Sequence, residues 1–198
     1  MQLQQIIEAI RPLRTEGGLP QEYEINYLLT DSRQLGAFPE QTLFFALRTE
    51  KNDGAKYVSE LYAKGVRVFV LTESQCTMHH EGFSLIVSDV LQALQDLAAY
   101  KRSLYSCPVI AITGSNGKTI VKEWLYQLLK DDYRITRSPK SYNSQIGVPL
   151  SVWQMNEQTE LAIFEAGISQ PGEMERLERI IRPTIGVITY IGAEHGEN

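Results

Sequence analysis

The chain has 198 residues, with 19 Lys and Arg against 24 Asp and Glu for a formal net charge of −5, and 43% of its residues are hydrophobic. It is long and apolar enough to bury a core in one large or two small domains. Its acidity excludes non-specific nucleic-acid binding, so an anionic ligand must be held by local positive charge. Cys76 and Cys107 lack metal or CxxC spacing, and neither a signal peptide nor an apolar run of membrane length is present, which predicts a cytoplasmic protein without membrane insertion.

Leu3, Ile6, Ile7 and Ile10 predict an opening helix stopped by Pro12. Ile25 to Leu29 and Thr42 to Leu47 read as strands, joined through the loop Thr30-Asp31-Ser32-Arg33. Tyr57, Val58, Leu61 and Tyr62 predict a helix ending near Gly65, followed by β-rich runs at Val66 to Leu71 and Leu85 to Val87. His79 and His80 sit in the polar stretch Glu73 to Gly82 and read as an exposed loop. Asp89 can cap a longer helix whose buried stripe is Leu91, Leu94, Leu97 and Ala98, running to Lys101-Arg102. The segment Ser103 to Pro108 predicts a boundary between a small α/β domain, residues 1–102, and a second domain, residues 103–198.

The second domain opens on the most informative stretch, Ile112-Thr113-Gly114-Ser115-Asn116-Gly117-Lys118-Thr119. Val109 to Thr113 reads as a buried parallel strand, and Val121, Trp124, Leu125, Leu128 and Leu129 predict the apolar stripe of a following helix. Between them, Gly114, Ser115, Asn116 and Gly117 form a glycine-rich turn whose amides can approach an anion at a helix N-terminus. Lys118 supplies a point charge for β/γ-phosphates, and Thr119 a hydroxyl for Mg²⁺. The loop has the shortened form Gly-x-x-Gly-Lys-Thr, since Ile112 stands where the longer motif has its first glycine.

Further strands are predicted at Arg134 to Thr136, Leu161 to Phe164 and Ile185 to Ile191, with a helix opened by Pro171 and anchored by Met174, Leu177, Ile180 and Ile181. The expected fold is α/β: a small α/β substrate-binding domain, then a truncated phosphate-loop domain with a doubly wound, mostly parallel sheet. Such sheets bind ligands at the carboxyl ends of their strands, where Glu165 and His195 both fall. Glu165 with Thr119 and phosphate oxygens would make a hard oxygen site for Mg²⁺. His195, read alone, is either a structural histidine or a group that holds a second metal or orients a carboxylate.

Thr-Gly-Ser-Asn-Gly-Lys-Thr at 113–119, Val121-Lys122-Glu123 and Asn143 to Leu150 resemble the Mur ligase family of ATP-dependent peptidoglycan precursor ligases. Thr30-Asp31-Ser32-Arg33, Leu43 to Arg48 and Asn52-Asp53-Gly54 resemble the amino-terminal domain of its MurF-type branch, which adds D-alanyl-D-alanine to UDP-N-acetylmuramoyl-tripeptide. The chain is similar in particular to the form that some bacteria fuse to an alanine racemase. The resemblance implies that Lys118 and Thr119 bind ATP phosphate and Mg²⁺, that Glu165 ligates the metal, and that His195 lies near a second Mg²⁺. It also implies that Ser32 contacts the UDP-sugar and that Asn143 and Ser144 approach substrate. The reaction so implied phosphorylates the tripeptide carboxylate and then lets the dipeptide amine displace phosphate, which needs phosphoryl positioning more than a protein nucleophile.

The chain departs from the family at Gly192-Ala193-Glu194-His195, at Tyr190 and at Gly167-Ile168-Ser169-Gln170, and it ends before the family's carbamylated lysine and carboxyl-terminal domain. It therefore reads as an amino-terminal part that is inactive alone. The alternative reading is a non-catalytic module that holds a nucleotide or UDP-sugar. A folate-glutamate ligase shares the short loop but should lack the first domain.

Overall fold

The computed structural model describes residues 1–50, 52–76 and 82–192. Contacts divide the chain into two compact units, Met1–Leu97 and Ala98–Asn198. The division falls inside a helix, Val90–Ser103, rather than at the turn that follows it.

The first unit contains α1 (Leu3–Ile10), β1 (Arg14–Glu16), β2 (Tyr27–Leu29), β3 (Thr42–Phe45), β4 (Arg48–Thr49), β5 (Asn52–Asp53), α2 (Val58–Ala63), β6 (Val68–Thr72), β7 (Phe83–Val87) and the start of α3 (Val90–Ser103). Its five-stranded sheet has the order β1-β7-β6-β3-β2, parallel throughout except where β1 pairs with β7. Strands β3 and β7 are buried at every position, as expected of strands covered on both faces. Alternation sends Phe44, Phe69, Leu71 and Ile86 to one face, against Val58 and Leu61 of α2. The polar edge strand β1 and the hairpin β4–β5 carry no apolar pattern and were not among the predicted elements. Leu91 is only half-buried, and Ala93 and Gln95 join the buried row of α3.

The second unit contains β8 (Val109–Thr113), α4 (Lys118–Leu129), β9 (Ile135–Arg137), α5 (Gly147–Val152), β10 (Leu161–Glu165), α6 (Glu173–Ile181) and β11 (Ile185–Ile188). The strands are all parallel, in the order β11-β8-β10-β9. Ile110, Ile112, Leu161 and Ile163 meet Val121, Leu125 and Leu129 of α4 on one face. Val109, Ala162 and Phe164 meet Val148, Val152, Leu177, Ile180 and Ile181 of α5 and α6 on the other. The sheet is thus wound on both sides, as the sequence predicts.

One predicted stripe is corrected. Trp124 and Leu128 of α4 are 66% and 74% exposed, and the position between the core residues is taken instead by Lys122, which is fully buried. The predicted helix at Pro171 starts two residues later, with Gly172 as its left-handed N-cap. The short α5 was not among the predicted elements. Arg102 closes this unit by donating from Nε to Ile181 O at 2.8 Å, from Nη1 to Tyr105 O at 2.5 Å and from Nη2 to Arg182 O at 3.1 Å.

Candidate functional site

The loop after β8 turns at the carboxyl edge of the sheet, between β11 and β10. Gly114 and Gly117 both adopt left-handed backbone, with φ of 130° and 86°, which side chains disfavour. A Cβ at Gly114 would also lie 2.8 Å from Tyr190 O, so the residue is fixed by space as well as by dihedral. The loop is fastened to the strand beside it: Ser115 N donates to Tyr190 O at 2.7 Å, Thr189 N to Thr113 O at 2.9 Å, and Gly192 N to Ser115 Oγ at 3.0 Å. The Thr189 hydroxyl lies 2.5 Å from Asn116 O and 3.2 Å from Thr113 O.

Gly117 is the N-cap of α4, so the first free amides of a twelve-residue helix open at the loop. The Lys118 ammonium folds over the turn and donates to Gly114 O and, at 3.3 Å, to Ser115 O. A cation held against those carbonyls stands within the cradle it would offer to phosphate.

At the next residue, Thr119 Oγ1 donates to Glu165 Oε2 at 3.0 Å. Glu165, the last residue of β10, has no exposure to solvent. Its amide donates to Ser138 Oγ at 3.1 Å, which locks the strand end to the turn after β9. Its Oε1 makes no well-directed hydrogen bond but lies 2.8 Å from Lys122 Nζ. Lys122 donates also to Ser138 O at 2.9 Å and to Lys140 O, a residue itself in the left-handed region at φ 51°. A buried carboxylate with no cation near it would carry a large desolvation penalty, and here the Lys122 ammonium offsets it.

A Mg²⁺ ion suits this donor set. Thr119 Oγ1 and Glu165 Oε2 are hard oxygens at the mouth of a phosphate-type loop, and Mg²⁺ completes its shell with phosphate and water. Among the described residues no group of three or more His, Cys, Asp or Glu gathers into an all-protein cage.

The structure brings Gly114, Ser115, Asn116, Gly117, Lys118, Thr119 and Glu165 together at one edge of the sheet. His195 lies outside the described residues, as do His79 and His80. Asn143 packs beside the strand end through Gly167, whose amide donates to Asn143 O at 2.8 Å. The Ser144 hydroxyl accepts from the amide of Gly147, the first residue of α5, at 3.1 Å. Ser32 is half-buried in a short 3₁₀ turn of the first unit, Ser32–Gln34. That turn is set by Asp31, whose Oδ1 accepts from Arg33 N at 3.1 Å. The Arg33 guanidinium beside Asp31 holds its carboxyl below the usual carboxylate range. Close by, Tyr27 and Phe38 stack with ring centroids 5.8 Å apart over a groove of about 290 Å³.

Lys122, Ser138 and Thr189 are the site residues that sequence reasoning missed. For Lys122 a signal was available: it follows Lys118 by one helical turn and interrupts an apolar row, in a helix that packs on a strand ending in a carboxylate.

Residues 112–198 match the family model described as the Mur ligase middle domain. The chain belongs to the Mur ligase family, and its similarity runs to the MurF type. It is 37% identical over 172 residues to the UDP-N-acetylmuramoyl-tripeptide–D-alanyl-D-alanine ligase of Bacillus subtilis, covering 86% of this chain and 37% of that protein. It superposes on MurF of Acinetobacter baumannii with a TM-score of 0.85 at 30% identity, covering 94% of this chain and 40% of the other. MurF of Thermotoga maritima, solved in complex with ADP, superposes with a TM-score of 0.75 at 26% identity, over 88% of this chain and 39% of that one. The chain therefore spans about two fifths of the length of the relatives it matches. No helix of the described residues is long and apolar enough to cross a membrane.

Proposed function

We propose that this chain carries the UDP-sugar domain and the nucleotide-binding segment of an ATP-dependent ligase that joins D-alanyl-D-alanine to UDP-N-acetylmuramoyl-tripeptide in the cytoplasm. The observation that carries this reading is the Thr119–Glu165 pair set beside the Gly114–Lys118 loop. A strand-end carboxylate, a hydroxyl and a ring of backbone amides at one sheet edge suit a metal-bound polyphosphate.

In this reading the amides of Asn116, Gly117 and Lys118 and the Lys118 ammonium grip the phosphates. Lys118 exchanges its loop carbonyls for phosphate oxygens, which orients the terminal phosphoryl group toward the incoming carboxylate. Thr119 and Glu165 hold Mg²⁺, which when bound offsets the charge of the polyphosphate. Ser32 and the groove under Tyr27 and Phe38 receive the UDP-sugar, while Asn143 and Ser144 border the peptide. The tripeptide carboxylate attacks the γ-phosphorus of ATP and ADP leaves; the dipeptide amine then attacks the acyl carbon, and phosphate leaves as the amide forms. Both steps require alignment and charge neutralisation, which backbone amides and one lysine can supply.

Calorimetry with Mg·ATP and Mg·ADP on this chain and on Lys118→Ala tests the proposal. Binding to the parent that falls at least about tenfold in the variant is expected, for loss of one charge-assisted contact to phosphate. Equal affinity in both would overturn the role given to the loop.

A further inference from the structure

Lys122 is completely buried, yet no part of the phosphate-loop reading uses it. Its ammonium has three N–H donors and meets Ser138 O at 2.9 Å, Lys140 O, and Glu165 Oε1 at 2.8 Å. The two carbonyls accept hydrogen bonds from it, and the Glu165 carboxylate is held beside it as an ion pair. Glu123 Oε1 lies 3.4 Å away and is itself paired with Arg137, whose guanidinium sits 4.0 Å above the Tyr126 ring. The charges of Arg137, Glu123, Lys122 and Glu165 alternate in sign and sum to zero.

Two consequences follow for Glu165. Its charge is already matched within the protein: Oε1 lies against the Lys122 ammonium as an ion pair without a well-directed hydrogen bond, and Oε2 accepts from Thr119. A divalent cation arriving alone would find one carboxylate oxygen, one hydroxyl and an ammonium on the same carboxyl group. Those are too few anionic ligands, and the ammonium adds repulsion. A cation arriving on a polyphosphate brings its own anionic oxygens.

We propose that Lys122 is a positioning residue that makes cation capture by Glu165 conditional on a bound polyphosphate. The inference rests on the proposed nucleotide site, and its test separates the two. Mn²⁺ is the probe, with free ion counted by electron paramagnetic resonance, on this chain with and without ADP. The parent and Lys122→Arg should retain Mn²⁺ only when ADP is present. Lys122→Met, with circular dichroism confirming its fold, should bind Mn²⁺ without nucleotide about tenfold or more tightly than the parent, since the adjacent like charge is gone. Glu165→Gln added to that variant should abolish the gain.

A Lys122→Met chain that melts earlier but gains no Mn²⁺ affinity would make Lys122 purely structural and overturn the proposal. Should that variant not fold, the parent decides: Mn²⁺ retained equally with and without ADP overturns the proposal, and retention that needs ADP supports it. If neither ADP nor Mn·ADP binds the parent, the nucleotide reading fails and this inference falls with it. If ADP binds and only the conditional behaviour is missing, the inference fails by itself.

Discussion

Gly167 lies against the carboxamide of Asn143, close enough that a Cβ would come within 2.9 Å of Asn143 Cγ. The contact joins the loop after β9 to a residue two positions beyond Glu165. Gly167→Ala must push the Asn143 side chain aside, and a loss of about 1–3 kcal/mol is expected from such overpacking. Urea unfolding measures it; an alanine variant as stable as the parent would show that the loop yields freely.

The corrected face of α4 makes a paired prediction. Phe164 is fully buried between β10 and the α5–α6 layer, so Phe164→Ala should cost about 3–5 kcal/mol. Trp124 is two-thirds exposed, and Trp124→Ala should change stability by no more than about 0.5 kcal/mol. Thermal melts of the two variants would reverse in order if Trp124 were the core residue that its helical spacing suggests.

Arg102 spans three carbonyls with one planar group, and burial holds its pKa below the ordinary guanidinium value. Arg102→Met should leave buried carbonyls unpaired and cost about 1–3 kcal/mol. Arg102→Lys should recover little of that, because a single ammonium cannot reproduce the fork. Full recovery by lysine in a denaturant titration would mean that charge alone matters.

The Asp53 carboxyl has a pH signature. Burial is the largest single influence and pushes its pKa up, but the Ala55 amide, the Gln75 amide and Arg48 together bring it below the ordinary aspartate value. A group with a lowered folded pKa is protonated more readily in the unfolded chain. It therefore stabilises the fold above the ordinary aspartate pKa, and that stability is lost as pH falls through the lower folded value. Melts of the parent and Asp53→Asn from pH 6 down to about pH 2 should show the parent's lead shrinking only in the acid range. A lead that stays constant to the lowest pH would rule out this linkage.

Much of the central sheet could be read from residue pattern, because β8 and β10 are buried on both faces and their apolar runs are uninterrupted. The loop between Gly114 and Lys118 was legible for a related reason: its chemistry is local, and strand, turn and helix are consecutive. Glu165 was found because a charge that ends an apolar strand has a predictable address. Where the reading failed, the cause lay in contacts between distant segments. Spacing in α4 could not tell Trp124 from Leu125, since the sheet covers only the narrow strip from Val121 to Leu129. Lys122 was hidden because a lysine in a helix is ordinarily solvated, and only the turn at Ser138 and Lys140 makes its burial possible. Strand β1 is three polar residues at a sheet edge, and the Thr189 contacts depend on β11 lying next to β8, which no local pattern discloses.

The stitching of Ser115, Asn116 and Thr113 to the end of β11 has a mechanical corollary. Thr189, Tyr190 and Gly192 are rivets rather than bystanders, so a polyanion that stiffens the turn must also quiet the amides leaving the neighbouring strand. Occupancy at one rim of the sheet is thereby transmitted sideways, across a single inter-strand gap, to the first residues of the segment that follows.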